Sequence, residues 1–354
     1  MNHIKQIAAR LEENGLDAML ITSPVGERYA MDFHGEGLAL ISKTDCWYFT
    51  DSRYIEAAHK QIRGAHIDCV GGGKNHRELA AQVVREHRLE RVGFESDRMS
   101  VDGLERYQQA LDCALIAAPG LISGLRPVKD RDELARIKQA QAITDKAFAS
   151  ILEFIRPGMT EQEVSARLVY DMMRMGAEKP SFDPVVAAGA NGSMPHAVPG
   201  GTVIGNGMFV TMDFGCVCGG YCSDMTRTIA VGQPTEEMCR VYDIVLRAQL
   251  AGLAAARAGI PGCEVDAAAR TVIEQAGYGE YFGHSLGHSV GLEIHENPNF
   301  SPSEKTVLPV DAVVSCEPGI YLPGRFGVRI EDLVVLTETG CENLTTSPKE
   351  LIIL

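Results

Sequence analysis

No stretch of this chain reaches the roughly eighteen consecutive apolar residues that a membrane-spanning helix requires. Its opening segment, MNHIKQIAARLEENGLDAML, is interrupted by charge throughout and lacks the apolar core of a secretory signal. No membrane partner is therefore expected, and a cytoplasmic protein is the default. Basic residues are outnumbered: 33 Lys and Arg stand against 47 Asp and Glu, for a net charge of -14. Phosphate backbones are bound by Lys and Arg, so nucleic acid is excluded as the main partner. Ten cysteines are present, yet no two form a CxxC pair, which removes the case for a disulfide framework or a zinc ribbon. Reduced, mostly buried thiols are the expectation, with Cys216, Cys218 and the nearby Cys222 read as strand alternation. A phosphate loop is missing as well. VGGGKNHRELA, residues 70–80, has Asn75 where that loop needs Ser or Thr after the lysine, and so predicts a glycine-rich turn before a helix.

What is present is ordinary globular material, 45% hydrophobic and 23% charged over 354 residues, enough for two domains each with its own core. Ile4, Ile7, Ala8 and Leu11 recur at helical spacing and predict a buried stripe on a first helix. Strand-like DAMLIT, GLALIS and CWYFTD follow, then helical SRYIEAAHKQI and strand-like RVGFE and ALIAAPG, an α/β pattern. Pro127, Lys129 and Asp130 precede a long amphipathic segment and mark a boundary. The expected domains are residues 1–126 and 127–354, in an α+β protein overall.

HSLGHSVGLEIHE places three histidines, His284, His288 and His295, within twelve residues. Gly283, Gly287 and Gly291 argue against a regular helix there, since each costs about 1 kcal/mol in a helix interior. They favour an irregular strand and turn whose backbone approaches something closely. The second domain also repeats itself: RPGMTEQEV from Arg156 and RAGIPGCEV from Arg257 share R-x-G-x-x-x-x-E-V at an offset of 257 − 156 = 101. Carboxylates recur at nearly that interval. Asp213 in TMDFGC and Asp224 in YCSDMTRT are matched by Glu317 in VSCEPGIY and Glu331 in GVRIED, offset by 317 − 213 = 104 and 331 − 224 = 107. Each pair predicts an antiparallel hairpin with one carboxylate on each strand, turning through GCVCGGY and GIYLPGRFG. Four acids in otherwise apolar strands are costly to bury unless they coordinate metal, and these strands hold too few cations to neutralise them. Two divalent cations would. With one histidine added, the oxygen-rich set suits Mn, Co, Fe or Zn, and two metals about 3.5–4 Å apart can activate one water between them for hydrolysis.

The order Asp213, Asp224, His288, Glu317, Glu331, with these spacings, resembles the pita-bread metallopeptidases, the family of methionine aminopeptidase, aminopeptidase P and prolidase. The preceding α/β domain is similar to the aminopeptidase P and prolidase branch, which also includes creatinase. This resemblance implies a C-terminal pita-bread domain behind a creatinase-type N-terminal domain. It implies that Asp213 chelates one metal, that Asp224 and Glu331 bridge two, and that His288 and Glu317 complete the second. Glu317 would also shuttle the proton of the attacking water. His196 in SMPHAVPG and His295 match two histidines that hold substrate and stabilise the tetrahedral intermediate, with His284, Tyr321 and Arg329 in support. Two divalent ions, Mn2+ first and Co2+, Zn2+ or Fe2+ as alternatives, are the implied cofactors. Peptides beginning Xaa-Pro are the implied substrates, and the implied assembly is a homodimer in which one chain's first domain borders the other's cleft.

One departure bears on specificity. After HENP, many prolidase-like members carry an arginine suited to a substrate's C-terminal carboxylate, and here Asn299 stands in that place. The expectation is thus an Xaa-Pro aminopeptidase acting on oligopeptides, with Xaa-Pro dipeptidase (prolidase) as the alternative. More distant alternatives are a metal-dependent hydrolase or lyase acting on a small non-peptide molecule and a non-catalytic pita-bread binding protein. All five ligands are intact, which counts against that last reading. It counts equally against creatinase chemistry, which needs no metal.

Overall fold

A computed structural model describes residues 2–354, in which two compact units are distinguished, one ending at Arg126 and the other Pro127–Leu354. The first unit is built on a six-stranded sheet in the spatial order His66–Cys69, Cys46–Thr50, Gly37–Ser42, Ala18–Ile21, Arg91–Phe94, Ala114–Ala117. The Ala18–Ile21 strand is buried along its whole length, as an apolar run covered on both faces must be. Leu20, Leu38 and Leu40 meet Ala80, Val83 and Val84 of the His76–Glu86 helix, while the Ile4–Glu13 helix packs on the same two strands with Ile7 and Leu11 fully buried. The sheet is mixed. Gly37–Ser42 runs antiparallel to both of its neighbours, and the three outer pairings are parallel. Gly71, Gly72 and Gly73 take positive φ just before Asn75, whose side chain caps the His76–Glu86 helix in a reciprocal box with Glu78. The glycines therefore make a turn that feeds a capped helix. The exposed edge strand His66–Cys69 carried no alternation that sequence reading could use.

The second unit holds two helix pairs, Arg131–Phe154 with Glu161–Arg174 and Glu236–Ala255 with Gly262–Gln275, each pair backed by its own antiparallel sheet. The R-x-G-x-x-x-x-E-V fragments lead into the second helix of each pair, which start at Glu161 and Gly262, and bury Val164 and Val265 completely. Their surroundings repeat too. Thr160 bridges Val203, and Pro261 bridges Val307; Gly158 N–H donates to Ile204 O, and Gly259 N–H to Leu308 O. The halves nevertheless differ at the cap, where Thr160 accepts from Glu163 N–H while Pro261 offers no side-chain acceptor. Two buried clusters follow, one around Ile151, Leu168, Phe214 and Ile229 and one around Val245, Val265, Phe300 and Val314. No described helix is long and apolar enough to cross a membrane.

Candidate metal centre

Both expected hairpins form, and both are broken where the acids sit. In the first, Met208–Phe214 pairs with Met225–Val231, and Asp213 lies opposite Thr226. Beyond the break, Cys216–Cys218 pairs with Tyr221–Cys222 and turns at Gly219 and Gly220, both at positive φ. Gly215 lies in the break because a Cβ there would come within 1.9 Å of Ser223 O. In the second hairpin, Val313–Cys316 pairs with Asp332–Leu336, and Gly319–Leu322 pairs with Phe326–Arg329. Glu317 and Glu331 fall between these segments, and Asp224 just ahead of its strand. Only Asp213 therefore sits within a strand, a correction to the expectation of one carboxylate per strand. The reason is geometric: side chains along an unbroken strand alternate between faces, and an interruption re-aims them toward a common point.

His288, on the short Gly287–Ser289 strand, joins them. Its Nε2 lies 3.5 Å from Asp224 Oδ2 and 3.4 Å from Glu317 Oε1. One potential ligand atom from each of Asp224, His288 and Glu331 lies within 4.8 Å of the others. Nδ1 of His288 is 3.3 Å from Ser289 O, so the ring proton is assigned to Nδ1 and the Nε2 lone pair faces the acids. Asp213 Oδ1, Asp224 Oδ1 and Glu331 Oε1 are buried without a hydrogen-bond partner. Acceptors converging on acceptors in a buried site are unfavourable unless a cation stands between them. The donor set thus fits a divalent cation, by its own chemistry.

Burial, reinforced by mutual repulsion, raises the carboxyls of Asp224 and Glu331 well above the usual range, and burial raises Glu317. Asp213 is held differently, by a 2.6 Å bond from Arg329 Nη2. Burial also lowers the pKa of His284, His288 and His295, favouring the neutral imidazoles. Arg329 Nη1 donates to the Tyr321 hydroxyl at 2.9 Å, leaving that hydroxyl to donate to His284 Nε2 at 2.8 Å. His284 Nδ1 must then carry the proton that bonds Ser285 O. Both nitrogens of His284 are engaged. Burial pushes the Tyr321 phenol up to about 12, so it stays a donor.

A cavity of about 560 Å³ opens over this cluster. His196, His284, His288 and His295 all reach its wall, as do Asp213, Asp224, Glu317, Arg329 and Glu331; Tyr321 lies behind it, against His284 and Arg329. The His295 ring stands 4.4 Å from that of His288 at a steep 69° angle, and both His196 and His295 are exposed to the cavity. Asn299 lines it as well. Sequence reading missed the residues that hold the acids. Thr226 Oγ1 donates to Glu331 Oε2 at 2.7 Å and accepts from Arg329 Nε; Ser315 Oγ donates to Glu317 Oε1 and accepts from His288 N–H; Gln141 Oε1 accepts from Asp224 N–H. A signal for two of them existed, since Thr226 and Ser315 each lie two residues from an acid, at the spacing of one strand face.

The sequence model described as "Metallopeptidase family M24" matches residues 135–338, and that of the "Creatinase/Prolidase N-terminal domain" matches residues 3–128. The chain is 45% identical to the Xaa-Pro dipeptidase of Pyrococcus furiosus over 352 residues, 99% of each chain. Its fold is similar to the solved Xaa-Pro dipeptidase from Bacillus anthracis, with a TM-score of 0.96, 44% identity and 99% of each chain covered. It is similar also to the X-Pro aminopeptidase from Thermotoga maritima MSB8, with a TM-score of 0.93 and 38% identity over 98% of this chain and 100% of that one. With the converging acids and the cavity above them, these matches establish that the chain belongs to metallopeptidase family M24, a hydrolytic enzyme with a pita-bread domain preceded by a Creatinase/Prolidase N-terminal domain.

Proposed function

We propose that the protein is an Xaa-Pro dipeptidase that works with two divalent cations. The observation that carries the two-cation part of the reading is the clustering of Asp224, His288 and Glu331, with buried unpartnered oxygens on Asp213, Asp224 and Glu331, beneath an open cavity. Asp213, Asp224, His288, Glu317 and Glu331 would hold the cations, Mn2+ first, with Co2+, Zn2+ or Fe2+ as alternatives. When bound, such ions activate water and stabilise charge on a carbonyl oxygen. Glu317, placed beside His288 and steadied by Ser315, accepts a proton from the attacking water and passes it to the leaving imino nitrogen. His295 and His196 offer ring N–H groups from the cavity wall, His295 toward the developing oxyanion and His196 toward the substrate. Arg329 holds Asp213 and, through Tyr321, fixes the tautomer of His284.

The relatives at 44–45% identity carry dipeptidase names, and they favour that reading over the oligopeptide aminopeptidase to which Asn299 pointed. Asn299 supports the other reading from the structure, because it reaches the cavity wall with an amide where a cation would bind a free carboxylate. Kinetics on matched Xaa-Pro dipeptides and Xaa-Pro tripeptides decide between them. Dipeptides should give the higher kcat/KM, and a clear tripeptide preference would return the aminopeptidase reading. A homodimer is proposed alongside, to be tested by light scattering at micromolar concentration.

A further inference from the structure

Glu161, the first residue of the Glu161–Arg174 helix, is a fully buried carboxylate that the chemistry above does not use. Its Oε1 accepts from Ala188 N–H at 2.8 Å and from Asn191 Nδ2 at 2.9 Å, and its Oε2 accepts from Gly200 N–H at 3.1 Å. Ala188 and Gly200 are the two ends of one loop, and between them lie Pro195, His196, Ala197, Val198 and Pro199, which form a wall of the cavity. The helix start also grips the returning limb through its backbone, Glu161 N–H to Thr202 O and Gln162 N–H to Gly200 O. On its far side the loop is pressed against the Phe326–Arg329 strand. A Cβ on Gly327 would come within 1.9 Å of Gly192 O, and Arg329 Nη1 reaches Pro195 O at 3.4 Å.

We propose that Glu161 is a positioning residue that staples the two ends of the 188–200 loop and so sets where His196 stands over the metal-binding acids. The proposal rests on the reading of His196 as a substrate-facing group. Its chemical basis is acceptor count: a carboxylate presents an acceptor to each loop end at once, whereas an amide must turn its NH2 toward one of them. The staple is favoured where it stands, because an anion at a helix N-terminus lies in the positive end of the backbone dipole.

Glu161→Gln keeps the shape and removes one acceptor. Metal-loaded E161Q should fold, retain its metal content and lose roughly tenfold in kcat/KM on an Xaa-Pro dipeptide, because a displaced contact group weakens the reactive geometry. Asn191→Ala, which removes one of the three donors at a half-exposed position, should shift kcat/KM the same way by less. In the His196→Ala background, adding E161Q should change kcat/KM by no more than about twofold, since residues acting through one another are not additive. Wild-type activity in E161Q beside a slow H196A overturns the staple alone. Loss of metal in E161Q, or losses from E161Q and H196A that multiply, also overturns it, as does an unfolded E161Q together with a fully active N191A. Wild-type activity in H196A overturns the reading of His196 and the staple with it.

Discussion

His288 and His295 stand seven residues apart with rings 4.4 Å from one another, yet the proposed reading gives them different work. His288 is tied by its backbone N–H to Ser315 Oγ and turns Nε2 into the acids, while His295 projects from the cavity wall. His288→Ala removes a proposed ligand atom and should lower metal content measured by mass spectrometry, with activity falling in step. His295→Ala should keep the metal and lose about 10²–10³ in kcat, the size of effect seen when an oxyanion donor is removed. Metal lost from the His295 variant and kept in the His288 variant would reverse the assignment. His284 belongs to neither class, because Tyr321 and Ser285 occupy both its nitrogens.

At the scale of the element, the short strand that carries His288 depends on a close approach. A Cβ on Gly287 would lie 1.9 Å from Ser315 O, on the neighbouring strand whose Ser315 steadies both His288 and Glu317. Gly283, four residues earlier, has nothing within 4 Å of that position. Gly287→Ala should therefore cost about 3 kcal/mol of stability as the strands are forced apart, whereas Gly283→Ala should be nearly neutral. Urea denaturation of the two variants checks this, and equal midpoints would contradict it. At the third glycine of the motif, Gly291, a Cβ would come 2.5 Å from the Glu296 carboxylate, a side-chain end rather than the backbone oxygen that confronts Gly287.

For the whole molecule, the buried acids link metal, pH and stability. Asp224, Glu317 and Glu331 have folded-state carboxyls raised by burial above their unfolded values. An acid raised in the folded state leaves stability intact below its unfolded value and takes it away as pH rises through the folded one. The acids' share of metal-free stability should thus fall as pH rises above their unfolded range, where these carboxyls come under pressure to ionise side by side, while the lowered histidines contribute in the opposite sense. On the proposed reading Mn2+ would bind only the ionised, folded site, so its stabilisation should be larger at the higher pH. Calorimetry of chelated and Mn2+-loaded protein tests both statements. A Tm gain on metal loading that is no larger at high pH than at low pH would show that the acids are not the cluster described. Peptidase activity should vanish on chelation and return with Mn2+ or Co2+, and full activity of metal-free protein would remove the two-cation mechanism.

Much of this was legible in the order of residues. The fully buried Ala18–Ile21 strand, the capped helix after Asp130, the offset of 101 between Arg156 and Arg257 and the Asp213, Asp224, His288, Glu317, Glu331 series are local or periodic facts, and periodicity is written along the chain. The edge strand His66–Cys69 was not legible, because its side chains are mostly exposed and no alternation selects them. Nor were the breaks in the hairpins, since Gly215 is needed only because Ser223 O approaches from across the pair. The same holds for Glu161, which reads in the sequence as an ordinary acidic first-turn residue and becomes a buried staple only when Ala188 and Gly200 are brought to it. By itself the sequence determined which residues could bind a cation and the period on which they recur. Only the tertiary structure decided which atoms converge and which groups hold them there, because hydrogen bonds between residues far apart in the chain, such as Arg329 to Asp213 across 116 positions, exist only after the chain has closed.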